Sequence, residues 1–204
     1  MNKNSFTVLL VTLVAFSITS CSELEEREPE EGVVINGVRW ATRNVSVGGS
    51  FARNPQDVGQ FRQWNRWMGW AASDHMSNPT WDSSNATGST WTGTTCPCPT
   101  GWRIPTQAEL QSLGTGTWVL NWNETGVAGR VFGTAPNQIF LPAAGMRNAN
   151  NGAFESGGIH GAYWSSTPIG TANAAALVFT NNTSGMTTGN ARAWAFSIRC
   201  VAVD

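Results

Sequence analysis

The stretch Val33-Val34-Ile35-Asn36-Gly37-Val38-Arg39-Trp40 places two β-rich runs on either side of Asn36-Gly37. Asparagine and glycine both accept the positive φ angles of a tight two-residue turn, so this stretch predicts a β-hairpin.

The clearest helix start lies at Thr106, whose hydroxyl can cap the first turn while Glu109 reaches back to it. Leu110 and Leu113 then supply one apolar face, and Gly114 ends the helix. The sequence therefore predicts a single short, capped helix here.

Several β-branched and aromatic runs predict strands. They are Trp118–Trp122, Val131–Phe132, Ile139–Leu141, Ala162–Ser166, Ala175–Thr180 and Ala193–Val203. In the last run Trp194, Phe196, Ile198 and Cys200 alternate and should share one face. The Ser-, Thr- and Gly-rich stretch 73–95 predicts a long ordered loop. One helix among several strands predicts an α+β fold.

Composition excludes several classes of protein. The 204 residues include 22 Gly and 11 Trp but only 12% charged residues, which argues against disorder and against a helical bundle. Residues 32–204 carry ten arginines and seven acids, a net charge of +3, and the arginines are scattered singly. Such a surface does not suit nucleic acid, so nucleic acid is not a predicted partner.

Residues 1–20 are predicted to be a lipoprotein signal peptide. Lys3 precedes the apolar run Phe6–Phe16, which is too short to span a bilayer. Ile18-Thr19-Ser20-Cys21 resembles a bacterial lipobox, which implies cleavage before Cys21 and lipidation of that residue. The alternative is a plain secretory signal followed by an incidental cysteine.

Residues 21–32 are predicted to be the lipidated Cys21 and an acidic tether. Six glutamates lie between residues 23 and 31, and like charges at this density resist compaction. The run also resembles the export signal of surface-exposed lipoproteins of the Bacteroidetes type; a tether without an addressing role is the alternative. Acyl chains on Cys21 would attach the protein to the outer membrane.

The order of motifs in residues 33–204 resembles the Fibrobacter succinogenes major paralogous domain, a branch of the C-type lectin-like fold. The matching segments are Ile35–Val45, Gln63-Trp64-Asn65-Arg66, Cys98–Thr106, Phe140–Gly145, Tyr163-Trp164-Ser165-Ser166 and Phe196–Val201. The resemblance implies one lectin-like domain whose first and last strands pair and whose long loops present a binding face.

The resemblance also implies a disulfide between Cys98 and Cys200, which an exported location permits. Cys96 departs from the family pattern. It could replace Cys98 as the partner or remain a free thiol, and the sequence leaves both open. A redox or metal site at Cys96 and Cys98 is a further alternative. A metal there would need further ligands, and His75 and His160 are the two histidines of the sequence.

Residues 146–194 resemble the variable region of lectin-fold proteins that diversity-generating retroelements target, such as the variable lipoproteins of Bacteroidetes. In such systems Asn codons of a template become many other residues between fixed landmarks. Here Tyr163–Ser166 and Arg199-Cys200 stand as landmarks. Mixed residues occupy places where Asn would be common, namely Phe154, Glu155, His160, Ala162, Ile169, Ala176, Val178 and Trp194. An undiversified family member with an ordinary polar loop is the alternative.

The predicted function is binding of an external protein or glycan, without catalysis. The candidate ligand contacts are Met146, Asn148, Asn150, Phe154, Glu155, His160, Ala162, Asn181, Asn182 and Trp194. Trp194 could equally belong to the core. His160 is interpreted as a contact rather than a base, because no nucleophile motif accompanies it.

Other functions remain as alternatives. A carbohydrate-binding adhesin or pilus-associated subunit of fixed specificity is one, and Trp64, Trp67 and Trp70 could form a sugar-stacking platform or belong to the core. No cofactor is predicted, although calcium stays open because some lectin-like folds bind it. An oxidase of the formylglycine-generating type would need two reactive cysteines in a cleft.

Overall fold

The computed structural model describes residues 32–75 and 80–203. The predicted signal peptide, the lipidation site Cys21 and the acidic run up to residue 31 lie outside the described residues. Within the described part, no helix is both long and apolar enough to cross a membrane.

The predicted hairpin is confirmed. Strands β1 (Val33–Ile35) and β2 (Val38–Trp40) pair antiparallel, and the turn residues Asn36 and Gly37 have φ angles of 51° and 83°. Positive φ at both positions is what a two-residue turn matched to strand twist requires. The local sequence thus fixes the register of this hairpin.

Thirteen further strands of the described residues complete four sheets, one of which contains this hairpin. The strands are β3 (Phe61–Gln63), β4 (Gly69–Trp70), β5 (Trp102–Arg103), β6 (Thr117–Val119), β7 (Gly129–Thr134), β8 (Asn137–Pro142), β9 (Met146–Arg147), β10 (Phe154–Glu155), β11 (Gly161–Ile169), β12 (Asn173–Phe179), β13 (Ser184–Ala191), β14 (Ala195–Phe196) and β15 (Val201–Ala202). They form sheets in the orders β1-β2-β15-β5, β10-β9-β14-β3-β4, β11-β12-β13 and β6-β7-β8. Every pairing between these strands is antiparallel.

The first and last parts of the domain meet in one sheet, as the resemblance implied. Val201 of β15 pairs with Trp40 of β2 on one side and with Arg103 of β5 on the other. The disulfide joins Cys98, shortly before β5, to Cys200, directly before β15.

The predicted α+β class is wrong, because the fold is β-rich: 39% of the described residues are in strands and 7% in helix. The one α-helix of the described ranges, α1 (Gln107–Ser112), has only six residues. It begins as predicted, with a capping box between Thr106 and Glu109, and its chain turns away at Gly114, where φ is 73°. The other segments are mostly short strands separated by glycine-containing turns. They are stabilised by pairing with neighbouring strands in their sheets.

One strand prediction needs correction, and one strand was not predicted at all. Ala193–Val203 forms two short strands, β14 and β15, because the backbone at Ser197 leaves that sheet and bonds to Ala162 and Trp164 of β11. The eight-residue β13, which contains two Gly, two Thr and one Asn, was not among the predicted strands. It pairs along β12, so its structure comes from its partner strand and not from its own residue preferences.

The core consists of three clusters of buried aromatic and aliphatic side chains. The predicted shared face is confirmed: Phe196, Ile198 and Cys200 are buried in one cluster, and Trp194 packs against it half-buried. Trp64 and Trp164 complete the centre of this cluster. Trp-rich packing of this kind supplies the apolar area that a chain with few leucines would otherwise lack.

Tyr163 lies at the centre of the molecule and is the one tyrosine of the chain. Its hydroxyl donates to the carbonyl oxygen of Pro142 at 2.8 Å and accepts from Nδ2 of Asn44 at 3.4 Å. Burial raises its pKa from 10.0 to about 12, while the charge of Arg199 opposes this shift. The folded protein therefore favours the neutral phenol.

We expect the protein to lose about 2–3 kcal/mol of stability as the pH rises from 10 to 12. The contribution of Tyr163 is complete below the pKa of the unfolded chain and disappears as the pH passes the raised folded pKa. Ultraviolet absorbance of phenolate should show one titration near pH 12 that Tyr163→Phe abolishes. A titration of the folded protein near pH 10 would contradict this environment.

Candidate functional site

Five of the ten predicted ligand contacts come together on one hairpin, formed by β9 and β10 at the edge of the five-stranded sheet. Met146 pairs with Glu155, and Nδ2 of Asn148 donates to Oε1 of Glu155 at 2.8 Å. Oδ1 of Asn148 accepts the backbone N–H of Asn150 at 2.9 Å, and Asn150 itself is exposed. The hairpin is thus an ordered element that projects polar side chains.

Phe154 is the aromatic side chain of this hairpin, and 40% of it is exposed. Its ring centroid lies 5.6 Å from that of the buried Phe61. A Cβ atom on Gly157 would lie 2.7 Å from the ring, so the ring can occupy this position only because residue 157 is glycine. Phe154 is therefore held in position by packing while much of its surface stays open to solvent.

A cavity of about 510 Å³ opens beside Phe154, within the range of small-molecule sites. We call it the hairpin pocket. Its lining residues come from the loop after β4 and from the hairpin, namely Ala72, Ser73, Asp74, His75, Arg147, Asn151, Ala153 and Phe154.

Arg147 fastens the two sides of the hairpin pocket together and is 1% exposed. Its Nη1 donates to the carbonyl oxygen of Gly152 at 2.7 Å. Its Nη2 donates to the carbonyl oxygens of Ala71, of Ala72 at 3.2 Å and of Asp74 at 3.0 Å. Four backbone acceptors of two distant segments thus depend on one guanidinium.

The charge of Arg147 is nearly isolated from water. Burial lowers its pKa, and the negative charge of Asp74 opposes that shift. Its Nε is buried and has no hydrogen-bond partner in the part of the chain that the structure describes. One donor in the wall of the pocket is therefore buried and unpaired among the described residues.

The segment after β10 carries two further side chains of interest. Ile159, which the sequence analysis missed, is 60% exposed. His160 is half-buried, and its Nδ1 has no hydrogen-bond partner among the described residues. Ile159 was overlooked because an isolated isoleucine in a loop gives no pattern from which exposure can be inferred.

Four further predicted contacts lie away from the hairpin. Ala162 is fully buried, so it cannot belong to an exposed surface and we remove it from the candidate site. Trp194 is half-buried with its ring centroid 6.2 Å from that of Phe196, so it packs on the core while part of it remains open. Asn181 and Asn182 are exposed at the turn between β12 and β13.

These outlying residues do not form one surface with each other. The turn at Asn181 and Asn182 adjoins the pair Phe179–Ser184, whereas Trp194 follows Ala191, which pairs with Asn173. The seven residues of β12 separate the two ends by roughly 23 Å. A ligand in the hairpin pocket would not be expected to need all of the predicted contacts.

The three tryptophans considered as a sugar platform separate in the structure. Trp64 is 0% exposed and Trp70 is 4% exposed, so both belong to the core. Trp67 is 45% exposed, and its ring lies 5.2 Å from the guanidinium carbon of Arg62. The core alternative is thus correct for two of the three.

The disulfide joins Cys98 to Cys200, and Cys96 is a free thiol of intermediate exposure. This answers the question that the sequence left open. Among the described residues no three side chains of His, Cys, Asp or Glu come together in a way that could hold a metal ion.

The sequence analysis missed the other wall of the hairpin pocket, Ser73, Asp74 and His75. It placed them in the long loop 73–95 and considered only His75, as a possible ligand of a metal site at Cys96 and Cys98. Nothing local identifies them, because Arg147 brings them to the hairpin from 73 to 76 positions away along the chain.

Comparisons with protein-family models, with curated proteins and with solved structures gave no match for this chain. The function must therefore be argued from the residues of this chain and their geometry. The hairpin pocket, the exposed side chains next to it and the sequence motifs are the observations that remain.

Proposed function

We propose that this protein is a lipoprotein anchored at the bacterial outer membrane by acyl chains on Cys21, and that it binds an external protein or glycan through residues 146–194. The observation that carries the proposal is the hairpin pocket. There, predicted contacts such as Phe154 stand beside a cavity of ligand size. The acidic run after Cys21 would hold the domain away from the membrane.

The hairpin suits a binding role because its backbone is held independently of its exposed side chains. The backbone N–H of Asn148 donates to the carbonyl of Ala153 at 2.9 Å, and that of Gly152 donates to the carbonyl of Asn148 at 2.8 Å. Arg147 holds the same turn from below. Side chains at Asn150 and Ala153 can therefore vary while the turn persists, as in loops presented by a rigid scaffold.

This separation can be measured without knowing the ligand. We expect Asn150→Tyr and Ala153→Tyr to change the free energy of unfolding by less than about 0.5 kcal/mol. Arg147→Met should lower it by about 3 kcal/mol, because four backbone carbonyl groups lose the donor that the buried guanidinium supplies. Denaturant unfolding followed by tryptophan fluorescence gives all three values. Similar losses in all three variants would mean that the hairpin is part of the core and not a variable surface.

We further propose that residues 146–194 are diversified by a retroelement. The support is the resemblance of this region to such variable regions, together with the exposure of Asn150, Phe154, Asn181 and Asn182. Diversification would be useful at these positions, because they can change without disturbing the packed scaffold.

Deep sequencing of the 3′ end of the gene in one population tests diversification directly. We expect substitutions concentrated in codons 146–194, with Tyr163–Ser166 and Arg199-Cys200 constant. The buried Ala162 serves as an internal control, because a packed alanine tolerates few replacements. A uniform sequence without an adenine-rich near-copy beside the gene would remove this part of the proposal, and a binding protein of fixed specificity would remain.

Lipid attachment has its own test. Radiolabelled palmitate should label the wild-type protein in cells, whereas Cys21→Ser should abolish the label. Cys96→Ser is the matched control, since it removes the free thiol within the domain. Labelling that survives Cys21→Ser would contradict the proposed anchor.

A further inference from the structure

Several polar side chains of the hairpin pocket have hydrogen-bonding groups without a partner among the described residues. The side chains of Ser73 and His75 make no hydrogen bond to another described residue, and both are exposed at the rim. Nδ2 of Asn151 is likewise unused, because this residue engages only its Oδ1, which accepts the backbone N–H of Ala153 at 3.0 Å. The pocket thus offers the donors of Ser73 and Asn151 to a ligand, whereas Nε of Arg147 is buried too deeply to reach one.

The charges of the pocket disfavour an anionic ligand. The terminal nitrogens of Arg147 already donate to backbone carbonyls, so they cannot clamp a carboxylate or phosphate. Asp74 is exposed at the rim and would repel an anion. Because one buried cation stands against one carboxylate, a neutral ligand fits this pair better than a charged one.

An apolar side chain of a protein partner fits the pocket poorly. Such a group would displace water from Ser73, Asp74 and Asn151 without replacing the lost hydrogen bonds. A polyhydroxyl ligand would replace them, since each hydroxyl both donates and accepts. Oδ1 of Asp74 can accept from hydroxyls, because among the described residues only Oδ2 is engaged, by the backbone N–H of Ala71 at 2.6 Å. Ser73 and Asn151 can donate to them.

Phe154 supplies an apolar surface for the ligand. A sugar ring has apolar C–H faces between its hydroxyl groups, and an aromatic side chain is a firm apolar surface for such a face. Packing against Phe61 already orders Phe154, so little side-chain entropy would be lost on binding.

From these contacts we infer that the hairpin pocket binds a neutral carbohydrate, with one sugar ring against Phe154 and its hydroxyls on Asp74, Ser73 and Asn151. This inference rests on the proposed binding function and names the ligand class for the same site. The cavity of about 510 Å³ has room for one or two sugar rings and the water that bridges them.

The test uses the full-length protein in detergent micelles on an array of neutral and acidic oligosaccharides. The array also carries a glycoprotein in native and enzymatically deglycosylated form. We expect binding to neutral glycans. Phe154→Leu, which keeps an apolar side chain but removes the ring, and Asp74→Ala should each weaken that binding at least tenfold.

Two variants are matched controls. Trp67→Ala removes the other exposed aromatic ring considered for sugar stacking, and Leu120→Ala removes a side chain that is 75% exposed outside the pocket lining. Both should stay within twofold of the wild type. Glycan binding that depends on Trp67 and not on Phe154 would overturn the assignment to the hairpin pocket.

The remaining outcomes separate the inference from the proposed function. Binding that depends on Phe154 but persists on the deglycosylated protein would mean a protein ligand, which overturns the carbohydrate and leaves the binding function. Preference for acidic glycans would overturn the argument from Asp74. If no probe shows binding that depends on Phe154 and the gene is uniform in codons 146–194, the proposed function and this inference both fail.

Discussion

Replacing Cys98 with serine is expected to lower the free energy of unfolding by about 4–5 kcal/mol. The disulfide joins residues 102 positions apart, and closing a loop of that length removes much of the conformational freedom of the unfolded chain. The serine hydroxyl and the thiol of Cys200 would also be left in the apolar cluster around Trp64 and Trp164, where Cys200 is fully buried. Denaturant unfolding in the absence of reductant measures the loss.

Cys96→Ser is the matched control, because it removes a thiol two residues away that forms no disulfide. It should change the free energy of unfolding by less than about 1 kcal/mol. Peptide mapping of Cys98→Ser by mass spectrometry would show whether Cys96 then joins Cys200. Near-wild-type stability with a Cys96–Cys200 bond would mean that the two cysteines are interchangeable and would contradict this prediction.

Arg199→Met is expected to cost about 5 kcal/mol or to prevent folding. Arg199 is fully buried, and its Nε and Nη2 donate to Oδ1 of Asn44 at 3.0 and 2.8 Å. It also donates to the carbonyl oxygens of Phe140 at 3.0 Å and Ala41 at 3.2 Å. Methionine fills part of the volume but leaves all three acceptors without these donors.

Arg39→Met is the control for the loss of one arginine. Arg39 is exposed and donates to the carbonyl of Gly32 at 3.2 Å, so its replacement should cost less than about 1 kcal/mol. Arg199→Lys keeps the charge and loses the forked donor geometry, and should remain strongly destabilised. Wild-type stability of Arg199→Lys would show that charge alone accounts for the role of Arg199.

The hairpin of the candidate site could be predicted in part. The Asn-rich turn around Asn148 and Asn150 and the aromatic Phe154 stand out in the sequence as side chains typical of a contact surface. Ala162 shows the limit of such reasoning, since a position in a variable-looking segment can still point into the core. The exposure of a residue depends on which neighbours pack over it, and the adjacent residues in the sequence do not determine those neighbours.

The fold class shows the same limit on a larger scale. The capping box at Thr106 and Glu109 identified the start of α1, but the length of a helix that packs against sheets depends on those sheets. β13 had no strand pattern of its own and became a strand because β12 offered it a partner. The α+β prediction failed because one well-marked helix was given too much weight against many weakly marked strands.

The sequence by itself determined the features whose energy lies within a few residues of chain. The Asn36-Gly37 turn and the cap at Thr106 are of this kind, because φ preferences and short-range hydrogen bonds need no distant partner. The tertiary structure alone decided that Cys98 and not Cys96 joins Cys200, and that Arg147 draws Asp74 to the hairpin. Those choices depend on contacts across 73 to 102 positions, which form only when the whole set of sheets and clusters packs together.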